Sequence, residues 1–139
     1  MIVLDTNVVS ELMRPAPSSA VVRWLSAQPS SVLHTTSVTE AEILHGIESM
    51  PPGKRRAAIL ESAQQMFEVE FGHRILPFDS RSAEEYARIA SERRRAGRPI
   101  SQFDAQIAAI VAGARAALAT RNVADFDGCG VRLVNPWEG

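Results

Sequence analysis

Short strand-like runs alternate with helix-like segments along the whole chain, and this alternation limits the fold more than any other sequence feature. Residues 2–4, Ile-Val-Leu, read as a short buried strand. Val8, Val9 and Leu12 then recur at helical spacing, which predicts a helix from about Asn7 that ends before Pro15. The stretch SSAVVRWLSAQP predicts a second helix with Ser18 or Ser19 as N-cap, Val22, Leu25 and Val21 inward, and a stop at Pro29. Residues 31–36 predict a strand, and residues 37–49 a helix halted by Pro51 and Pro52. A longer helix is expected over 54–70, with Ile59, Leu60, Ala63, Met66 and Phe67 on its apolar face. RILPF predicts a third strand at 74–78, followed by a helix that Gly97 ends and by an alanine-rich helix over 101–116. Residues 117–120 and 131–135 complete the set as strands. Strands separated by helices in this way imply an α/β domain around a mainly parallel sheet.

Composition narrows the class of protein. The chain has 139 residues, long enough for one domain with a sizeable core, so residues 1–139 are expected to form a single unit. It is 45% hydrophobic and 22% charged, with a formal net charge of −1, which argues against gripping nucleic acid by bulk charge. A nuclease with local basic patches and metal ions remains compatible. No apolar run reaches the roughly 20 residues needed to span a bilayer, and no signal-peptide pattern is present. The single cysteine, Cys129, cannot form an internal disulfide, and a cytoplasmic location is expected. His34, His45 and His73 lack zinc-ligand spacing and read as structural or surface residues. Arg93, Arg94, Arg95 and Arg98, with Lys54, Arg55 and Arg56, form two basic clusters that read as solvated faces.

Ligands in parallel sheets bind at the carboxyl ends of the strands, and the acidic residues concentrate there. Asp5 follows the first strand, Glu42 lies early in the helix after the second, and Asp104 opens the alanine-rich helix. Thr120, Arg121 and Asn122 follow the fourth strand, with Asp125 a turn beyond. Each acid also has a bland explanation. Asp5, Thr6 or Asn7 can cap the first helix, and Asp104 fits a capping box begun by Ser101. For the third helix two overlapping capping boxes compete, one from Ser37 to Glu40 and one from Thr39 to Glu42. The combination is less bland than its parts. Carboxylates converging on one edge repel one another unless a hard cation neutralises them, and an all-oxygen set suits Mg2+ or Mn2+. Metal-assisted phosphodiester hydrolysis is the chemistry this suggests.

The segments LDTNVVSELMRP, TTSVTEAEILHG, ISQFDAQIAAIVAG and ALATRNVADFDGCGVRLVNPW, in this order, resemble the PIN-domain ribonucleases. More narrowly they resemble the VapC and FitB-like toxins of bacterial type II toxin–antitoxin (VapBC) pairs. The resemblance implies a three-layer α/β/α sandwich around a parallel five-stranded sheet. It implies a Mg2+- or Mn2+-dependent endoribonuclease that cleaves RNA by metal-activated water. The family acids fall on Asp5, Glu42 and Asp104 as catalytic and metal-binding residues. Many relatives place Asp directly after the Thr-Arg pair where this chain has Asn122, so Asn122 or Asp125 is expected to contribute through water. Thr6, Asn7 and Thr120 would orient the ligands, and Arg121 would meet RNA or antitoxin. The implied partners are a VapB/FitA-like antitoxin, a second copy of the chain, and operator DNA reached only through the antitoxin. The alternative is a PIN-fold binding module with weak or no catalysis, acting through its antitoxin and DNA complex. A haloacid-dehalogenase phosphohydrolase is disfavoured because Asn7 stands where a second Asp is needed. A Rossmann domain is disfavoured because no glycine-rich loop follows the first strand.

Overall fold

The computed structural model describes residues 1–139. Five strands, β1 (Ile2–Leu4), β2 (Leu33–Thr36), β3 (Ile75–Leu76), β4 (Ala117–Ala119) and β5 (Arg132–Val134), form one sheet in the order β3-β2-β1-β4-β5. Every pairing is parallel, with Val3 opposite His34 on one side and Leu118 on the other. Six α-helices accompany it: α1 (Thr6–Leu12), α2 (Ser19–Ser26), α3 (Ser37–Glu48), α4 (Lys54–Gln65), α5 (Ser80–Arg95) and α6 (Gln102–Gly113).

The sandwich follows from the two-residue period of a strand. Val3 and Leu118 face one core, with Ile89 of α5 and Ile107, Ala108 and Val111 of α6. Leu4 and Ala119, one residue on, face the opposite core, with Val8 and Val9 of α1, Val21 of α2, Ile43 and Ile47 of α3, and Ala63 of α4. Both faces are covered, so the inner strands are apolar on successive residues.

The strand order reverses between β1 and β4: the chain builds outward from β1 through β2 to β3, then returns to the other side of β1. A parallel sheet opens a crevice at the carboxyl ends of its strands at such a switch point. Here that crevice lies between the ends of β1 and β4, where Asp5 and Thr120 stand.

Several local expectations need correction. The strand expected over 31–36 begins at Leu33, because residues 30–32 form a 3-10 turn. The helix expected to reach residue 70 is α-helical only to Gln65 and continues as a π-helical turn, Met66–Phe71. The wider turn brings Met66, Phe67 and Phe71 into the core together, with the two phenyl rings stacked at 6.3 Å. The expected strand at 74–78 shrinks to Ile75–Leu76. In α2, Val21 is buried while Val22 is 41% exposed, so the inward face sits one residue earlier than expected. Neither capping box forms in α3; Thr36 is the N-cap and accepts the amide of Thr39.

The passage from α6 into β4 sets where Thr120 arrives. It is a Schellman turn, with the amides of Ala116 and Arg115 donating to the carbonyls of Val111 and Ala112. Its pivot, Arg115, has φ 54°, a left-handed conformation that penalises any residue with a Cβ. Arg115→Gly should therefore raise stability by about 0.5–1 kcal/mol, read as a higher denaturant midpoint at unchanged slope.

Candidate metal centre

Asp5 leaves the carboxyl end of β1 and is 3% exposed. Its backbone N–H continues the sheet by donating to Ala119 O at 2.9 Å, so the residue is fixed before its side chain does anything. The carboxylate is then held on three sides. Oδ1 accepts the Thr6 N–H at 2.8 Å; Oδ2 accepts the Thr120 hydroxyl at 2.7 Å and the Asn7 side-chain amide at 3.1 Å. Capping and site roles thus coincide: Asp5 is the N-cap of α1 and the most enclosed acid of the crevice. Thr6 and Asn7 both hydrogen-bond it, and the capping oxygen belongs to Asp5.

Glu42 reaches the same place through Thr6. The Thr6 hydroxyl donates to Glu42 Oε1 at 2.8 Å and lies 3.0 Å from Thr39 Oγ1. Asp104 arrives from the other core's helix, half-buried in the first turn of α6, whose N-cap Ser101 accepts its amide at 3.2 Å. Asp5, Glu42 and Asp104 line a single cleft of about 530 Å3 with Thr6, Asn7, Arg121 and Asn122. Thr120 lies beneath it, fully buried, and also accepts the Asn122 amide at 3.1 Å. Asn122 lines the cleft; Asp125 is exposed in the following 3-10 turn, yet its charge acts on Asp104.

Electrostatics mark the inner part of the cleft, around Asp5 and Asp104, as short of positive charge. Burial, reinforced by the charges of Asp104 and Glu42, pushes Asp5 from an ordinary value of 3.8 to about 6, against the opposing hydrogen bonds from Thr120 and Thr6. Burial also raises Asp104, with Asp125 adding to the shift while Ser101 and Arg93 oppose it. A cation would relieve both. The donor set is oxygen only, which fits Mg2+ or Mn2+ rather than zinc. No three acidic, histidine or cysteine side chains form a ready-made cage.

Three participants were not legible as site residues. Glu11, buried in the cleft wall, accepts the Ser18 amide at 2.9 Å and a hydrogen bond from Arg14 at 3.2 Å, which hold its carboxyl below the ordinary range. Trp137 is half-buried and is the one apolar residue lining the cleft. Arg93 is the clearest correction. Expected on a solvated face, it is 7% exposed. Its Nη1 donates to Asp125 O at 2.9 Å and Asp127 O at 2.8 Å, and its Nε to Arg98 O at 2.7 Å. It also covers the buried Cys129, whose thiol burial pushes up. Residue spacing on α5 gave no sign of this, because the acceptors are backbone carbonyls, two of them more than 30 residues away.

Comparison with known proteins agrees with this architecture. The family signature described as PIN domain matches residues 2–127. The chain belongs to the PIN-domain family. This PIN domain is 36% identical over 138 residues to the VapC ribonuclease Y4jK of Sinorhizobium fredii, covering 99% of both chains. It is 36% identical over 137 residues to the toxin FitB of Neisseria gonorrhoeae, again over 99% of each. Among solved structures it is similar to FitAB bound to an IR36 DNA fragment, with a TM-score of 0.92 at 36% identity over 99% of this chain and 96% of that one.

Two outcomes follow from this PIN-domain site. In chelator, Asp5 binds its proton more tightly folded than unfolded, so stability should fall as pH rises from about 4 to 6, by up to about 3 kcal/mol. Asp104 acts in the same direction. Asp5→Asn should flatten that slope in a denaturation series over pH, and a retained slope would contradict the assignment. Arg93→Met should cost about 3 kcal/mol, since it strands the carbonyls of Arg98, Asp125 and Asp127. The shift in unfolding midpoint measures it.

Proposed function

We propose that residues 1–139 act as one PIN domain, the toxin of a type II toxin–antitoxin pair, and that its activity is Mg2+- or Mn2+-dependent endoribonuclease cleavage. The observation that carries this is the buried carboxylate of Asp5 at the switch point, in one cleft with Glu42 and Asp104, its proton affinity raised by burial and by those acids. The ribonuclease and toxin relatives support it.

Asp5 and Asp104 would hold the ion, with Glu42 nearby and Asn122 contributing through water. When bound, the ion supplies an activated water and positive charge toward the phosphate. The chain's own residues do the rest. Thr120, Asn7 and the Thr6 amide keep both Asp5 oxygens aimed and ionised, since each hydrogen bond favours the charged form. Thr6 fixes Glu42 relative to Asp5. Arg121 and Arg14 bring two cations to the cleft rim for RNA phosphates. No side chain is placed as a covalent nucleophile.

The partner is a VapB/FitA-like antitoxin, with operator DNA reached through it, as the FitAB–DNA structure supports. An apolar recess of about 510 Å3, lined by Leu12, Met13, Leu25, Met66 and Phe71, opens at the C-terminal end of α1, the helix that also lines the acidic cleft. An inserting segment would find apolar surface there and could present a cation to Asp5, Glu42 or Asp104. A homodimer in the cytoplasm is the expected form, and no helix is long and apolar enough to cross a membrane. Asn122 in place of a fourth acid favours the second reading, a binding module with weak catalysis. The assay separates them. Purified chain with Mg2+ or Mn2+ should cleave RNA, chelator should abolish cleavage, and Asp5→Asn or Asp104→Asn should lower it at least about 100-fold, more than loss of an outer partner does. Metal-independent cleavage, or full activity in both variants, would overturn the nuclease mechanism.

A further inference from the structure

Resting on the nuclease reading above, we infer that Trp137, covered by Arg121, is a stacking platform for an unpaired nucleobase next to the scissile phosphate. Trp137 is the single apolar residue in the wall of an otherwise polar cleft that also contains Asp5, Glu42 and Asp104. Its placement is built rather than incidental. Asn135 Oδ1 accepts the Trp137 amide at 3.0 Å, Pro136 is buried beside it, and the ring's inner side joins the core cluster that holds Leu4 and Val8.

The other partner is tied directly to the acids. Asn7 Nδ2 donates to Asp5 Oδ2, and Asn7 Oδ1 accepts the Arg121 amide at 3.2 Å. The Arg121 guanidinium then lies 5.0 Å from the centre of the Trp137 ring. A continuous chain of contacts therefore runs from the buried carboxylate to the indole.

An indole face turned to a polar, open cleft serves no packing purpose on its open side. Guanidinium is planar and weakly hydrated, so it covers the ring at low cost. A nucleobase is planar too, and stacks on aromatic side chains without needing a particular sequence. A base taking the ring frees Arg121 for the adjoining phosphate. Bases in a duplex are already stacked, so the device selects single-stranded or looped RNA.

The test uses the full chain carrying Trp24→Phe, which leaves Trp137 as its one indole. In chelator, to prevent cleavage, a fluorescein-labelled single-stranded oligoribonucleotide is titrated and binding is read by anisotropy. Emission from Trp137 is read with the unlabelled strand. Binding with quenching is expected, and an abasic strand of the same length should bind with little quenching. Trp137→Leu, which keeps an apolar side chain, should weaken binding about 10- to 100-fold, whereas Trp137→Phe should stay close to the parent. Unfolding curves check that each variant is folded; should Trp137→Leu fail, the quenching experiment decides alone. Binding without quenching, or equal quenching by the abasic strand, overturns the platform and leaves the nuclease reading intact. RNA that neither binds nor is cleaved when metal is restored overturns both.

Discussion

One hydrogen bond carries the organisation of this molecule: the Thr120 hydroxyl donating to Asp5 across the point where the sheet reverses its strand order. The two residues are 115 positions apart. They meet because β1 and β4 pair in parallel, and because each strand ends within a residue of the other's end. Remove that meeting and Asp5 is an ordinary helix cap. With it, the cap is enclosed, its carboxylate is aimed, and the three elements that follow β1, β2 and β4 can bring Thr6, Glu42 and Asn122 to the same crevice. The two cores secure this from either side, since Val3 and Leu4 point to opposite layers.

Much of this could be read from the residues because it follows short-range rules. The strands after which Asp5 and Arg121 stand show as apolar runs, and the helices declare themselves by spacing and by proline or glycine stops. Asp104 was legible for the same reason: Ser101 caps its helix at the expected three-residue offset. What escaped depends on contacts that residue type does not encode. Thr36 displaced two plausible capping boxes because the strand already delivered its hydroxyl to the Thr39 amide. The π-helical turn at Met66–Phe71 arose from packing three large side chains into one core, which no local propensity announces. Arg93 looked like one more cation in an exposed run, since backbone carbonyls have no signature in the sequence.

The cleft is bipolar. Asp5, Glu42 and Asp104 occupy its floor, while Arg14 and Arg121 stand with Glu11 toward its wall. Glu11 answers the two arginines and also ties α1 to the start of α2 through the Ser18 amide. An RNA strand approaching this surface meets positive charge before it meets the acids, which keeps a polyanion from being repelled by the very groups that would hold the ion. The net charge of −1 conceals that arrangement.

Arg93 grips residues 125 and 127 of the segment after β4 by their main-chain oxygens, and touches one side chain there, the Cys129 thiol. Its partners at Asp125 and Asp127 are carbonyls, which every amino acid possesses. The Arg93 contacts are therefore indifferent to the side chains at 122, 125 and 127, and substitutions there leave that anchor in place, while Phe126 and Cys129 fix the loop from the core side. A lineage with such an anchor can trade acid for amide at the cleft edge, or move a charge by one turn, without first repairing the fold. Asn122 stands on that tolerant rim, whereas Asp5 on the buried floor is tied to Thr6, Asn7 and Thr120 and has no such latitude.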